Sequence, residues 1–89
     1  MANHASALKR MRQNRKRRLR NRMMKTLVKS HVRKLMLAVE EQKLEEARLL
    51  LRETTAVLHK SASKGVHHPN RASRQISRLS RKVNGLTAG

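Results

Sequence analysis

The sequence predicts an all-α fold: an antiparallel three-helix bundle whose long first helix carries a basic N-terminal half that projects from it. Three observations predict it. Helix breakers are scarce, since the sole proline is Pro69 and no glycine but Gly65 occurs before Gly85. Apolar residues recur at helical spacing in three separate stretches. Phe, Tyr, Trp and Cys are all absent, which leaves only a thin core of Leu, Val, Ile, Met and Ala.

In the first helix, Met24, Leu27, Val28, His31, Leu35 and Ala38 share one face. N-terminal to them, between Asn3 and Arg22, the only sizeable apolar residues are Leu8, Met11 and Leu19, too few to bury against anything. A helix from about Ala5 to about Glu41 would run roughly 50 Å, and the last helix could cover only half of it. Its basic first half opposes the helix dipole, so this arm is expected to fray when free and to become ordered on a polyanion.

A chain that folds back needs a break before Lys64, and Glu41-Gln42-Lys43 is the expected place although its residues are poor turn formers. In the second helix, Leu44, Ala47, Leu51, Thr55, Leu58 and Ala62 form the stripe, with Leu50 and Val57 widening it. Lys64-Gly65 then stops the helix with a left-handed glycine, and Pro69 opens the next. In the third helix, Ala72, Ile76, Leu79, Val83 and Leu86 repeat at helical intervals. Leu79 sits at the centre of that stripe and is expected in the core. The organisation is thus one domain over 1–89: an arm at 1–22, the rest of helix one at 23–41, helix two at 44–64 and helix three at 69–86.

Charge decides the class of function. The chain has 23 Lys+Arg against 5 acids, a formal charge of +18. Such self-repulsion destabilises a small compact chain unless a polyanion neutralises it. The charge is uneven: residues 1–34 hold 13 Lys/Arg and no acid, all five acids lie between Glu40 and Glu53, and the chain is purely basic from Lys60. The arm Lys9, Arg10, Arg12, Gln13, Asn14, Arg15, Lys16, Arg17, Arg18, Arg20, Asn21, Arg22, followed by Lys25, offers cations for phosphates and amides for phosphate, 2′-hydroxyl or base edges. Its charges wrap every side of the helix, as suits a rod among several RNA segments. Opposite the apolar stripe of helix three lie Arg71, Arg74, Arg78, Arg81 and Lys82, a second basic face.

Other chemistries find no residues. There is no Asp, no Cys and no glycine-rich phosphate loop, so no enzyme is visible, and Glu40, Glu41, Glu45 and Glu46 serve the dipole of helix two and solubility. Of the five histidines, His67 and His68 are adjacent and lack nearby Cys, Asp or Glu, which suits no metal; no cofactor is expected. His31 reads as a packed histidine at the core's edge. His68, just before Pro69, either caps the third helix or touches a phosphate. No apolar run approaches a membrane span, and Met1–Arg22, though Arg-rich like a transit peptide, precedes nothing that looks like a larger mature domain, so the chain reads as cytosolic. A DNA-compacting protein would need an apolar wedge and a dimer face, and a membrane-active helix would need an apolar face opposite its charges. The chain offers neither, and no homo-oligomer is expected.

The opening Met1-Ala2-Asn3-His4-Ala5-Ser6-Ala7-Leu8-Lys9-Arg10 and the segment from Lys64-Gly65 through His68-Pro69-Asn70-Arg71-Ala72-Ser73-Arg74 to Ser77-Arg78-Leu79 carry a resemblance. They are similar to the bacterial-type small-subunit ribosomal protein S-twenty family, over nearly the whole chain. The resemblance implies a three-helix bundle with a long first helix that binds small-subunit ribosomal RNA directly and aids subunit assembly, with other small-subunit proteins nearby. It places the family's motif on Lys9, Arg10, Lys64, Gly65, His68, Asn70, Ala72, Arg74, Ser77, Arg78 and Leu79, which adds Lys64 and Asn70 to the expected RNA contacts. The chain departs at Ala5, where the family usually has a lysine, and at the first bend, where it often has Gly or Asp.

Overall fold

The structure, a computed structural model, describes residues 2–88, with side chains described for residues 6–86. The departure noted at Ala5 lies outside the described side chains. Helix α1 spans Ala2–Glu40, α2 spans Leu44–Ser63 and α3 spans Pro69–Ala88. α1 therefore begins before the expected Ala5, and α3 passes through Gly85 to end after residue 86.

Both turns use the same device. After α1, the Gln42 N–H donates to the Val39 carbonyl (3.1 Å) and the Lys43 N–H to the Ala38 carbonyl (3.0 Å). After α2, the Gly65 N–H donates to the Ala62 carbonyl (3.1 Å) and the Val66 N–H to that of Ser61 (3.0 Å). This is the Schellman pattern, which satisfies the last carbonyls of a helix and requires a left-handed residue just past its end. Gly65 holds that position with φ 76°, as the sequence predicts, whereas Gln42 holds it with φ 55°. A poor turn former thus makes the first turn by accepting a conformation that costs a residue with a side chain about 1–2 kcal/mol. Gln42→Gly should stabilise the protein by about 1 kcal/mol, less the entropy of the added glycine. A chemical melt of the two proteins checks this; an unchanged or lower midpoint would mean that the Gln42 side chain contributes what its backbone loses.

At the start of α3, the Asn70 N–H donates to His68 Nδ1 (3.1 Å), so His68 caps the helix that Pro69 opens. At the first turn, Lys43 pairs with Glu41 (3.1 Å) and Glu46 (3.8 Å); these carboxylates hold its ammonium above the usual lysine range. All three side chains lie largely in solvent, and such pairs add little stability.

α2 packs against both α1 and α3, while α1 and α3 touch each other little. The core consists of Val28, Leu35 and Ala38 from α1, Ala47 and Leu58 from α2, and Ala72, Leu79 and Val83 from α3. Met24 is also buried, but Leu27, expected on the same face, is 43% exposed because α1 has a neighbour on one side only. α2 departs most from expectation. Its buried residues are Ala47, Thr54, Leu58 and Ser61, whereas Leu50, Leu51, Thr55, Val57 and Ala62 are only partly buried. Helices on two sides of α2 leave room for small residues on its central line. Thr54 and Ser61 fit there because their hydroxyls find partners: Thr54 Oγ1 donates to the Leu50 carbonyl (2.7 Å), and Ser61 Oγ bonds His67 Nδ1. His31, at the core's edge, lies across from Thr54, whose Oγ1 is 3.5 Å from the His31 carbonyl.

The molecule measures 68 × 21 × 14 Å, with a radius of gyration of 17.8 Å. A compact chain of this length would have a radius near ~12 Å. The difference comes from α1, whose 39 residues span about 58 Å and whose residues 6–20 are all exposed.

Candidate nucleic-acid interface

Along α1, the residues Lys9, Arg10, Arg12, Gln13, Asn14, Arg15, Lys16, Arg17, Arg18 and Arg20 are exposed, and Asn21 is the first to be partly covered. Leu8, Met11 and Leu19, between 47% and 58% exposed, bury against nothing. The expected absence of an apolar face on this stretch is therefore visible in its surroundings: cations, amides and a few isolated apolar side chains in solvent.

Where α1 reaches the bundle, the turn after α2 meets it. Arg17, Arg20 and Asn21 line a depression of about 490 Å³ with Lys64 and Gly65. This proximity joins the arm to a residue some forty positions along the chain. It follows from the antiparallel pairing of α1 with α2, which brings the end of α2 back beside the middle of α1.

A longer groove lies between α1 and α3, on the side where these helices do not close against each other. One part, about 450 Å³, is lined by Val32 and Met36 from α1 and by Arg71, Arg74, Gln75, Arg78, Leu79 and Lys82 from α3. The adjoining part, also about 450 Å³, is lined by Lys25, Val28, Lys29, Val32, Arg33, His67, Arg71 and Gln75. The two share Val32, Arg71 and Gln75, so they form one channel with an apolar floor and basic walls. No carboxylate lines it. Among the described residues the ion pairs are those of Lys43, and four of the five acids lie at or near the turn between α1 and α2, at the other end of α1 from the arm.

The structure thus brings together Lys25 with Arg71, Arg74, Arg78 and Lys82, which the sequence places on separate helices. Arg81 is exposed but lies outside the groove's lining, and Arg22 is exposed, its carbonyl accepting the Thr26 hydroxyl (3.0 Å). His68 and Asn70 flank Pro69 at the cap they form, with Asn70 exposed. Sequence reasoning missed Lys29, Arg33, His67 and Gln75. Lys25, Lys29 and Arg33 follow one another at four-residue intervals, a signal that could have marked Lys29 and Arg33 as companions of Lys25. His67 had no such signal, since its surroundings come from other elements. Partial burial, reinforced by the positive charges of Arg71 and Lys25, holds its imidazole below the usual histidine range.

The chain matches the family model described as Ribosomal protein S20 over residues 2–84. It is 52% identical over 86 residues to the small ribosomal subunit protein bS20 of Desulfatibacillum aliphaticivorans, covering 97% of this chain and 98% of that protein. The bS20 proteins of Syntrophobacter fumaroxidans and Maridesulfovibrio salexigens are 49% and 52% identical over 86 residues each. These alignments cover 97% of this chain and 100% and 99% of the two relatives.

Proposed function

Since the chain belongs to the ribosomal protein S20 family, we propose that it is a structural, non-enzymatic component of the small ribosomal subunit that binds the subunit's RNA directly. Contact is made by the basic arm of α1, by the junction at Lys64, and by the basic walls of the α1/α3 groove. In so doing it stabilises the folded RNA and supports subunit assembly. The observation that supports this reading is the segregation of charge. Cations from the arm, the turn after α2 and α3 line depressions that hold no carboxylate, while four of the five acids lie at or near the turn between α1 and α2.

Physically, the arm is a rod whose sides all carry donors, so it suits insertion between RNA segments better than docking on one flat surface. The groove is suited to a strand lying along it, with phosphates toward its walls and the sugar edge toward Val28, Val32 and Met36. With no Phe, Tyr or Trp to stack on bases, recognition rests chiefly on shape and backbone. Among the described side chains, packing on the bundle begins at Asn21, so the arm is the segment whose helix depends most on the RNA. Circular dichroism should show the helical signal of the protein increasing when RNA is added.

A salt titration of binding to small-subunit ribosomal RNA, with random duplex DNA as competitor, tests the function. Each phosphate neutralised should contribute a slope of roughly −0.7 to −0.9 in log K against log salt. A steep slope with a lasting preference for the ribosomal RNA is the expected result. A steep slope without preference would make the protein a generic polycation and favour a DNA-compacting role.

A further inference from the structure

The walls of the α1/α3 groove pack little on each other, Lys82 Nζ lying 3.7 Å from Met36 Sδ across one end, and they carry like charge. At one end, Lys25, Lys29 and Arg33 of α1 and Arg71 of α3 line the same depression as His67, which the connecting turn supplies. We propose that this end, bounded by Lys25, Lys29, Arg33, His67 and Arg71, is a built site for a single phosphate group that clamps α3 to α1. The site rests on the reading above, in which that group is a backbone phosphodiester of a bound RNA strand.

What distinguishes this corner from an ordinary solvated basic face is the orientation of His67. Its Nδ1 is engaged by the hydroxyl of Ser61, a fully buried residue of α2, so Nε2 is the nitrogen left for an incoming anion. The engagement survives protonation. A serine hydroxyl donates to a neutral imidazole nitrogen and rotates to accept from a protonated one. The charged groups that line the depression with the ring are Lys25, Lys29 and Arg33 from α1 and Arg71 from α3, of which Arg71 and Lys25 act on it most, and no acid is among them. In the free protein partial burial, followed by the charges of Arg71 and Lys25, opposes protonation of His67. An anion seated among them offsets those charges, so the imidazole takes up a proton at Nδ1 and its Nε2–H becomes a charge-assisted donor to the phosphate. Seating the anion also removes the repulsion between the groove's two walls. Phosphate binding, imidazole protonation and closure of the groove are therefore one coupled event.

The test is a pH titration of the imidazole resonances by NMR in the full-length protein. It is run in chloride alone, with inorganic phosphate at matched ionic strength, and with a small-subunit ribosomal RNA fragment retained in the salt titration. His59, exposed on α2 and outside the groove's lining, serves as the internal comparison. The midpoint of His67 is expected to rise on RNA binding by more than that of His59. A rise with inorganic phosphate as well identifies the phosphate group itself as the ligand. A rise with RNA alone shows that the strand must deliver it. Arg71→Gln, at an exposed position, should reduce the rise and lower the salt slope of RNA binding by about one. RNA binding with no change at His67, or with the same change at both histidines, overturns the site and leaves the proposed function standing. Failure of the RNA to bind overturns that function instead.

Discussion

Removal of residues 1–22 should leave the bundle folded while abolishing most of the affinity for ribosomal RNA. The physical case rests on a separation of roles along one helix. Among the described side chains of α1, the first buried one is Met24, and residues 6–20 contribute nothing to the core. The deletion removes nine Lys/Arg, a large share of the 23 in the chain, and no acid. It therefore relieves like-charge repulsion within the bundle and shortens a helix whose basic start opposes its own dipole. The melting midpoint of the truncated protein should match or exceed that of the whole chain. The salt slope of RNA binding should fall by roughly 0.7–0.9 for each phosphate that the arm no longer neutralises, and the residual binding should be that of the groove. An unfolded truncation would show that the junction of Arg17, Arg20 and Lys64 holds the bundle together. Undiminished binding would show that the arm is a solvated tail.

Leu79→Ala should cost about 2–5 kcal/mol, the range for deleting most of a buried leucine and leaving a cavity. Leu79 is 5% exposed and belongs to the same cluster as Leu35 and Leu58. The effect matters more here than in a larger protein. Small domains are marginally stable, and a core without aromatics has few neighbours able to relax into the space. The substitution should therefore unfold much of the free protein at room temperature and raise its dependence on bound RNA, which binds the folded state and restores stability by mass action. Urea melts with and without RNA check both parts. Equal midpoints for the two proteins would mean that Leu79 contributes no more than an alanine. Leu35→Ala, at a position with no exposed surface, applies the same test to the α1 side of the core.

The candidate site was legible where it was local and illegible where it was assembled. The arm could be read directly, because charge density along one unburied helix needs no partner to define it. The basic face of α3 could be read from its period, and the structure refines it: Arg71, Arg74, Arg78 and Lys82 line the groove, and Arg81 does not. Lys29 and Arg33 had only their four-residue spacing from Lys25 to mark them on α1. Their role depends on lying opposite α3, a fact of packing across α2. His67 looked like one of two adjacent histidines without chemistry. Only its hydrogen bond to Ser61 and its place between Lys25 and Arg71 make it distinctive.

By itself, the sequence determined the helical class, the two breaks and the separation of charge. Each of these follows from interactions within a few residues of one another: the helical repeat of apolar side chains, the left-handed glycine at Gly65, proline at the head of α3, and unpaired cations along α1. The tertiary structure alone decided which face of α2 is central. A helix flanked on two sides buries small side chains where its neighbours approach most closely, and Thr54 and Ser61 displace the larger Leu50 and Leu51 from that line. It also decided that α1 and α3, each packed on α2, touch each other little and leave a basic channel between them. No local pattern encodes such a gap, because it is set by the angles at which three helices share one small core.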